Sequence, residues 1–260
     1  MATVAALPAL PPAQPRPVQW RRLGQALATL WEADPAKVLD AAFTVADSLG
    51  GGSDERQLRR VLATETGRRL LRDGVSLADA LGDHDALRAM PEGSLGRAFL
   101  RFAERHGLEP HQLLESQHEM SRDYADLDPT RQWMFDRFTT MHDLWHVVAG
   151  YDATHAGESA LMCFSLPQRV NDRALPIFVL MSILTGRIGV RSAWHAFRRG
   201  RRARLLAGQP FEALLSLPIA EARSRMGVSE PRASHVRAVS EGMLIPLESL
   251  ESIALESIRA

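Results

Sequence analysis

The sequence predicts an all-α protein, folded as a single multi-helix globular domain. Its 260 residues are 45% hydrophobic and 24% charged, a balance typical of globular domains. Alanine, leucine and arginine, which favour helices, are abundant, whereas the alternating Val, Ile and Tyr patterns of strands are nearly absent. No internal repeat occurs, and the segments on either side of the glycines at 50–52 are alike in composition. We therefore expect one all-α domain over residues 20–260.

The residues before this domain differ in composition. The stretch MATVAALPALPPAQPRPVQ, residues 1–19, holds five prolines and has no basic start. Because proline breaks helices, these residues are expected to form a disordered proline-rich arm rather than a signal peptide. The longest uncharged stretch, from Ala174 to Gly186, is shorter than the roughly 20 apolar residues that a membrane span needs. We therefore expect no membrane-spanning helix.

Capping residues mark where successive helices begin. Asp34 and Asp128 are each followed by proline, the pairing of an N-cap residue with proline at the first helical position. Ser53 opens a helix after the glycines, and Ser76 begins a capping-box pattern. Together with the apolar periodicity, these signals predict helices at 20–33, 36–48, 54–72, 77–88, 93–106, 110–122, 129–149, 155–166, 174–206, 211–226 and 247–259.

Charge and cysteine content exclude several classes of protein. The 31 basic residues balance 31 acidic ones, so the overall charge does not indicate a nucleic-acid partner. Cys163 is the only cysteine, which rules out a disulfide within the chain and a zinc finger built on cysteines. A reducing compartment such as the cytoplasm is the simplest interpretation.

Two histidines in the segment WMFDRFTTMHDLWHVVAG, residues 133–150, carry the clearest chemical signal. His142 and His146 lie four residues apart, so on a helix both imidazoles can reach one cation. They border an apolar stripe that recurs at helical spacing, formed by Phe138, Met141, Trp145 and Val148. Burying two imidazoles beside Asp143 costs several kcal/mol unless a partner satisfies them. A divalent cation would do so.

Glu158 is expected to complete this site from the next helix. Gly150 stops the first helix, and Glu158 follows His146 by twelve positions, which is enough to return an antiparallel helix. Two neutral histidines with Asp143 and Glu158 carry a formal charge of minus two, which suits zinc, iron or manganese. The pattern predicts a metal site between two antiparallel helices.

A chance pairing of histidines remains the alternative, since the chain has nine of them. His155 precedes Glu158 by three residues and is either a fifth group of the site or, as we favour, a capping residue that faces the loop. The remaining histidines lack partner spacing and are expected at the surface: His84, His106, His111, His118 and His235. The residue after His142 is Asp rather than the Glu of H-E-x-x-H proteases, and the further ligands of HD-type phosphohydrolases find no match.

The motif also carries a resemblance to a known family. HDxxH followed by eleven residues and Glu, here His142, Asp143, His146 and Glu158 within HDLWHVVAGY and GESAL, resembles the signature of the ubiquinone (coenzyme Q) biosynthesis protein 4 family. GSLGRAFLRF at 93–102 and SAWHAFRRGRRARLL at 192–206, followed by PFEALLSLPIAEARSRMGV, are similar to further family segments. The resemblance covers residues 93–228. Where the family commonly continues Gly-Glu with a Lys-Trp-Phe-Glu type run, this chain has the residues from Ser159 to Phe164, so we expect a different pocket wall.

The resemblance implies a helical protein that binds a divalent metal, commonly zinc, through His142, Asp143, His146 and Glu158. It implies action on a prenylated quinone precursor, in which the ring C1 carboxyl of a prenylated benzoate is replaced by hydroxyl, and partnership with other ubiquinone-biosynthesis proteins at the inner membrane. Asp143 lies about 100° around the helix from His142 and reaches the ion from the side, so we assign it the catalytic role. Arg131 and Arg137 are candidates for binding the substrate acid. A homodimer stays open.

The long apolar and basic stretches that follow bear on membranes. ALPIFVLMSILTG, at 174–186, is either core or the wall of a lipid pocket. The arginines between 187 and 204 form either a solvated helix face or a contact with anionic lipid, and we assign membrane binding to Arg198, Arg199, Arg201 and Arg202. Three hypotheses therefore stand: a metal-dependent enzyme of ubiquinone synthesis, a prenyl-lipid-binding scaffold with a structural metal, and an unrelated helical hydrolase.

Overall fold

A computed structural model describes residues 17–32, 41, 44–49, 52–121, 124–171 and 173–230. The described residues form one all-helical domain, with an isolated bridge between Ser94 and Pro218 as their sole β-type pairing. We number its helices in chain order: α1 Trp20–Glu32, α2 Ser53–Leu62, α3 Glu65–Arg72, α4 Leu77–Gly82, α5 His84–Ala89, α6 Leu95–His106, α7 Pro110–Met120, α8 Pro129–Ala149, α9 His155–Ser165, α10 Ala174–Leu184, α11 Val190–Arg202, α12 Phe211–Leu214 and α13 Ile219–Met226.

The all-α prediction is confirmed, and several boundaries agree closely with the sequence signals. Helix α8 covers the predicted residues 129–149, since Asp128 caps its start and Gly150 ends it in the left-handed region at φ 72°. Residues 44–48 are helical within the predicted 36–48. The predicted helix at 247–259 and most of the predicted arm at 1–19 lie outside the described residues.

Four predicted helices are divided in the structure. The predicted 54–72 breaks at Thr64, whose hydroxyl caps α3, and the predicted 77–88 breaks at Asp83, whose carboxylate caps α5. The predicted 174–206 becomes α10 and α11, because the chain turns at 185–189, where Gly186 has φ 72°. The predicted 211–226 becomes α12 and α13, with Pro218 before the second helix. In each case a residue favoured at caps or turns sits at the break.

Helix α8 lies at the centre of the domain. It contacts α2, α4, α6, α7, α9 and α13, so most of its circumference is covered by other helices. Its second half is buried almost throughout, from Leu144 to Ala149. A smaller apolar cluster joins α1 to the start of α10 through Leu23, Val45 and Ala174. The main core therefore encloses the helix that carries the two histidines.

Helix α9 packs most extensively against α11. The approach is so close that a Cβ at Gly200 would lie 1.8 Å from the backbone oxygen of Phe164. No side chain fits there, which explains a glycine inside α11. Within the described residues, none of the helices is both long enough and apolar enough to cross a bilayer.

Candidate metal centre

Local signals place Glu158 in the first turn of α9. Thr154 is the N-cap residue, and its hydroxyl accepts a hydrogen bond of 3.1 Å from the Gly157 amide. Gly157 itself passes close to the preceding loop, because a Cβ there would lie 2.0 Å from the Asp152 carbonyl oxygen. The loop from Gly150 to Thr154 is thus tightly held against the start of α9. This fixes where Glu158 projects.

Three predicted ligands converge in the structure. Atoms of His142, His146 and Glu158 that could bind a metal all lie within 4.8 Å of one another. The His146 Nε2 atom lies 3.1 Å from Glu158 Oε1, and the His142 Nε2 atom lies 3.8 Å from Glu158 Oε2. The two imidazole centroids are 5.0 Å apart with the rings edge to face. Two helices therefore present two nitrogens and a carboxylate to one point.

Hydrogen bonds to the other ring nitrogens explain why both Nε2 atoms face this point. The His146 Nδ1 atom lies 3.2 Å from the backbone oxygen of Tyr151, which can only accept, so Nδ1 carries the proton. The His142 Nδ1 atom lies 3.2 Å from Asp143 Oδ1, which favours the same tautomer. Such partners orient the histidine ligands of metal sites and leave Nε2 free to bind the ion.

The residues present fit a divalent ion. His146 Nε2 is buried and makes no hydrogen bond among the described residues, although Glu158 Oε1 lies only 3.1 Å away. A close approach without hydrogen-bond alignment is what two ligands of one ion show, since ligands about 2.0–2.1 Å from a tetrahedral zinc lie about 3.3 Å apart. A buried imidazole nitrogen without a partner is otherwise costly. Two imidazoles and one carboxylate suit zinc or iron.

Exposure differs among the three groups. The His146 side chain is 1% exposed, whereas His142 is 52% and Glu158 38% exposed. One side of the centre is therefore open. Burial raises the pKa of Glu158, but contact with His146 and the charge of His142 outweigh it and lower the pKa to about 2. The carboxylate is consequently ionised at neutral pH and available to a cation.

Asp143 takes a different position from the one predicted for a ligand. Its side chain is largely buried beside His142 and bonds to Nδ1 of that ring, and it is absent from the group of three converging residues. This is the position of a residue that orients a ligand. His155, the first residue of α9, is exposed and also lies outside the group.

The two arginines predicted to bind substrate contact other segments of the fold, and their substrate role stays a prediction. Arg131 pairs with Glu55 and with Asp128. Arg137 is buried, pairs with Glu212 and donates to the Gln209 carbonyl at 2.8 Å. Both guanidiniums join α8 to neighbouring segments and so stabilise the fold.

The predicted lipid contact of Arg199 is wrong. Arg199 is 3% exposed, and its guanidinium donates to the Tyr151 hydroxyl at 2.6 Å and to the Ala149 carbonyl at 2.9 Å. A side chain buried in this way cannot reach a lipid head group. Arg198, Arg201 and Arg202 are exposed, and the structure gives them no ion pair with a described carboxylate. The four arginines assigned to the membrane therefore comprise one buried residue, Arg199, and three exposed ones.

Sequence reasoning missed some residues near the centre. His106, expected at the surface, has a buried Nε2, and its ring lies 4.7 Å from that of Phe102. Phe102 in turn stacks on His146 at 5.5 Å. Burial lowers the pKa of His106, with nearby Arg105 and His146 acting in the same direction. Tyr151, whose own backbone carbonyl contacts His146, and Arg223, which donates to the Val148 carbonyl, were also missed, because no spacing rule indicates bonds to the backbone.

A solved structure agrees with this fold, and sequenced relatives share part of the sequence. A crystal structure described as a putative ubiquinone biosynthesis protein from Nostoc punctiforme aligns with a TM-score of 0.55 at 19% identity, covering 82% of this chain and all of that one. A protein named ubiquinone biosynthesis protein coq4, mitochondrial, from Botryotinia fuckeliana is 26% identical over 179 residues. The alignment covers 66% of this chain and 60% of that relative.

Other relatives carry similar names. The mitochondrial ubiquinone biosynthesis protein COQ4 of Yarrowia lipolytica is 27% identical over 182 residues, covering 66% of this chain and 65% of that protein. The chain spans about 60% of the length of the relatives that it matches. The family described as coenzyme Q (ubiquinone) biosynthesis protein Coq4 matches residues 24–232. Since that match takes in most of the chain, including His142, His146 and Glu158, the chain belongs to the Coq4 family of ubiquinone biosynthesis proteins.

Proposed function

We propose that this protein is a metal-dependent enzyme of ubiquinone biosynthesis, which acts on a prenylated benzoate and replaces the ring C1 carboxyl group with hydroxyl. The observation that carries the proposal is the convergence of His142, His146 and Glu158 from two helices. Family membership supports the pathway and leaves an unrelated helical hydrolase without support. The donor atoms support the chemistry, because they match the ligands of catalytic zinc and non-haem iron sites.

A site with three protein ligands, rather than four, favours a catalytic metal over a purely structural one. Catalytic sites keep an open coordination position, whereas structural zinc sites are closed by four protein ligands. Here Asp143 is turned towards His142 Nδ1, and the half-exposed His142 and Glu158 leave one side accessible. A substrate carboxylate or phenolate could approach from that side.

The metal and the protein side chains have separate roles in the proposed reaction. A bound divalent ion would act as a Lewis acid on the carboxylate or phenolate oxygen. The Tyr151 carbonyl and Asp143 hold the two imidazole rings in place, and Glu158 adds negative charge that retains the cation. Exchange of a carboxyl group for hydroxyl releases carbon dioxide and is a two-electron oxidation, so the proposal includes an external oxidant such as dioxygen.

Contact with a membrane is the second part of the proposal, and exposed apolar side chains support it. Leu180 and Leu184 at the end of α10, and Val190 and Trp194 at the start of α11, are each more than half exposed, with Leu184 at 70%. The two members of each pair are four residues apart, and the two pairs lie on either side of the turn at 185–189. We call these four residues the α10–α11 corner. An exposed apolar patch of this kind is typical of an interaction surface.

The positive charge around the α10–α11 corner favours an anionic bilayer as the partner of this surface. From Arg173 to Phe211 the sequence has eight arginines and neither Asp nor Glu. Arg187, Arg191 and Arg198 are exposed around the α10–α11 corner. Basic residues beside an amphipathic surface attract anionic lipid by about 1 kcal/mol each. This contact would bring the protein to the membrane that holds a long-tailed substrate, alongside other enzymes of ubiquinone biosynthesis.

A non-catalytic scaffold that binds prenyl lipid is the competing function, and one experiment separates the two. The purified full-length protein would be assayed for metal content, for co-purifying prenyl lipids, and for conversion of a prenylated 4-hydroxybenzoate with dioxygen. We expect one divalent ion per chain and release of carbon dioxide that His142→Ala abolishes. Stoichiometric metal and bound lipid without any turnover would support the scaffold, and the absence of metal would refute the proposal.

A further inference from the structure

The end of α8 lies directly beside the metal centre, and its last carbonyl groups have no partners within the helix. The His146 carbonyl accepts from the amides of Gly150 and Tyr151, at 2.8 and 3.0 Å. The next three carbonyls, of Val147, Val148 and Ala149, are too close to the helix end to receive such bonds. In most helices water or a following loop would satisfy them.

Two buried arginines take all three of these carbonyls. Arg223 on α13 donates from Nε to the Val148 oxygen at 3.0 Å and from an Nη atom to the Val147 oxygen at 3.1 Å. Arg199 on α11 donates to the Ala149 oxygen at 2.9 Å. Both arginine residues are at most 7% exposed. Two separate helices thus clamp the final turn of α8.

Arg199 also connects to the histidine by a second route. It donates to the Tyr151 hydroxyl at 2.6 Å, and the guanidinium lies 5.1 Å from the centre of that ring. The backbone oxygen of the same tyrosine is the partner of His146 Nδ1. Tyr151 is therefore held at its side chain by Arg199 while its carbonyl sets the tautomer of His146.

Capping alone does not account for this arrangement. Burying two cations near each other is costly, and burial lowers the pKa of both guanidiniums. The carboxylate that pairs with Arg223 is that of Glu230, which is largely exposed. The other groups that the two arginines bond are Tyr151, the Ser229 carbonyl and the three carbonyls at the end of α8. The two charges are concentrated on the turn that bears His146.

We propose that Arg199 and Arg223 are positioning residues of the metal centre, which fix the last turn of α8 and, through Tyr151, the orientation and tautomer of His146. The inference rests on the proposed metal site. Rigid support of this kind is what metal ligands require, because a small rotation of an imidazole moves Nε2 away from the ion. The planar fork of arginine suits the task, since Arg223 donates to two successive carbonyls from one rigid plane, a geometry that the rotatable ammonium of lysine does not fix.

The test uses the full chain with Co²⁺ as the probe, because its visible absorption reports ligand geometry. Arg199→Lys and Arg223→Lys keep the positive charge and lose the fork, and Tyr151→Phe removes only the hydroxyl contact. Arg225→Lys is the matched control, since Arg225 lies on the same helix as Arg223 but is 57% exposed and pairs with Glu221. The readouts are the Co²⁺ dissociation constant, the absorption spectrum and the ring-nitrogen NMR signals of His146.

We expect Arg199→Lys and Arg223→Lys to weaken Co²⁺ binding about 10- to 100-fold in the folded protein and to alter the absorption spectrum. Tyr151→Phe should act in the same direction by a smaller factor, and Arg225→Lys should match the wild type. Folded lysine variants with wild-type affinity, spectrum and Nδ1–H tautomer would overturn the inference. If the lysine variants do not fold, a wild-type result for Tyr151→Phe overturns it equally. Failure of the wild-type protein to bind Co²⁺ would instead refute the proposed function.

Discussion

His146 and Glu158 lie on successive helices, yet His146 Nε2 and Glu158 Oε1 are 3.1 Å apart and are not aligned for a hydrogen bond. That distance suits an ion pair as well as two ligands of one ion, and the buried His146 Nε2 without a hydrogen bond favours the second. It depends on the short loop at 150–154, because Gly150 ends α8 and Thr154 caps α9. The geometry of the candidate centre is therefore set by two local signals of the backbone.

Replacing Glu158 tests the centre directly. Glu158→Gln keeps the size of the side chain and removes the negative charge, so we expect affinity for a divalent ion to fall by more than about 100-fold. Isothermal titration with Zn²⁺ on the folded variant measures this. Glu221→Gln, at an exposed ion pair on α13, is the control and should bind like the wild type. Unchanged zinc affinity in Glu158→Gln would show that the ligand assignment is wrong.

Gly157 supplies a second, indirect test of the same geometry. A Cβ at this position would lie 2.0 Å from the Asp152 carbonyl oxygen, so Gly157→Ala must displace the loop or the start of α9. We expect a loss of about 1–3 kcal/mol in the free energy of unfolding, together with weaker metal binding. Denaturant titration and zinc titration measure the two effects. Gly24→Ala is the control, since nothing lies within 4 Å of a Cβ there; equal stability of both variants would contradict the structure around Glu158.

The sequence predicts the backbone of the centre well, because its signals are local. Asp128, Pro129 and Gly150 define α8 without any knowledge of the rest of the fold, and the HDxxH spacing then fixes which side chains share a face. Helices that the sequence failed to divide show what happens when such local signals are concealed. Gly186 and Gly189 were present within the predicted 174–206, but the apolar and basic runs on either side concealed the turn.

The side-chain roles could not be predicted in the same way. Arg199 and Arg198 are neighbours in a basic run, yet one is buried against Tyr151 and the other is exposed. What separates them is the position of the α8 carbonyls, which belong to a segment about 50 residues earlier in the chain. Arg137 is a similar case, since its partner Glu212 lies on α12. Partners so far apart in the sequence cannot be predicted from the local spacing of residues.

Cys163 on α9 reports whether the helix behind Glu158 is packed as described. Its side chain is 1% exposed, and burial raises the pKa of the thiol to about 11 from an ordinary value of 9.0. At pH 8 the thiolate fraction is then about 100-fold lower than in the unfolded chain, and access is blocked as well. We expect iodoacetamide to label the native protein at least 100-fold more slowly than the denatured protein. Rapid labelling of the native form would contradict the burial of α9.

The α10–α11 corner predicts how the protein meets lipid. Leu184→Glu with Trp194→Glu should abolish binding to vesicles that contain anionic lipid, since both side chains are exposed and apolar. Reversal of Arg187, Arg191 and Arg198 to Glu should remove the preference for anionic over neutral vesicles and the steep salt dependence of binding.

The matched control for this experiment reverses Arg105 and Arg225, which are exposed elsewhere on the domain. Flotation with anionic vesicles should leave this control bound like the wild type. If the corner variant binds vesicles normally, the corner is not the lipid contact. Loss of self-association in the corner variant, with vesicle binding intact, would assign the surface to a homodimer instead.

The last prediction separates catalysis from a scaffold through Asp143. Its carboxylate lies 3.2 Å from His142 Nδ1, so Asp143→Asn retains an acceptor oxygen for that nitrogen and removes one negative charge beside the ligand. The fold and vesicle binding should survive, and metal affinity should fall about 10- to 100-fold, as for other partners of ligating histidines.

Turnover is the decisive measurement. In an enzyme, a less basic His142 changes the electrostatics at the ion, so conversion of a prenylated 4-hydroxybenzoate should fall by orders of magnitude even when zinc or iron is saturating. A scaffold that needs the metal for its structure alone would regain full function once the site is filled, and quinone production by the assembled pathway would be normal. Full quinone yield from Asp143→Asn, with the metal confirmed in place, would therefore reject the catalytic role and leave the scaffold.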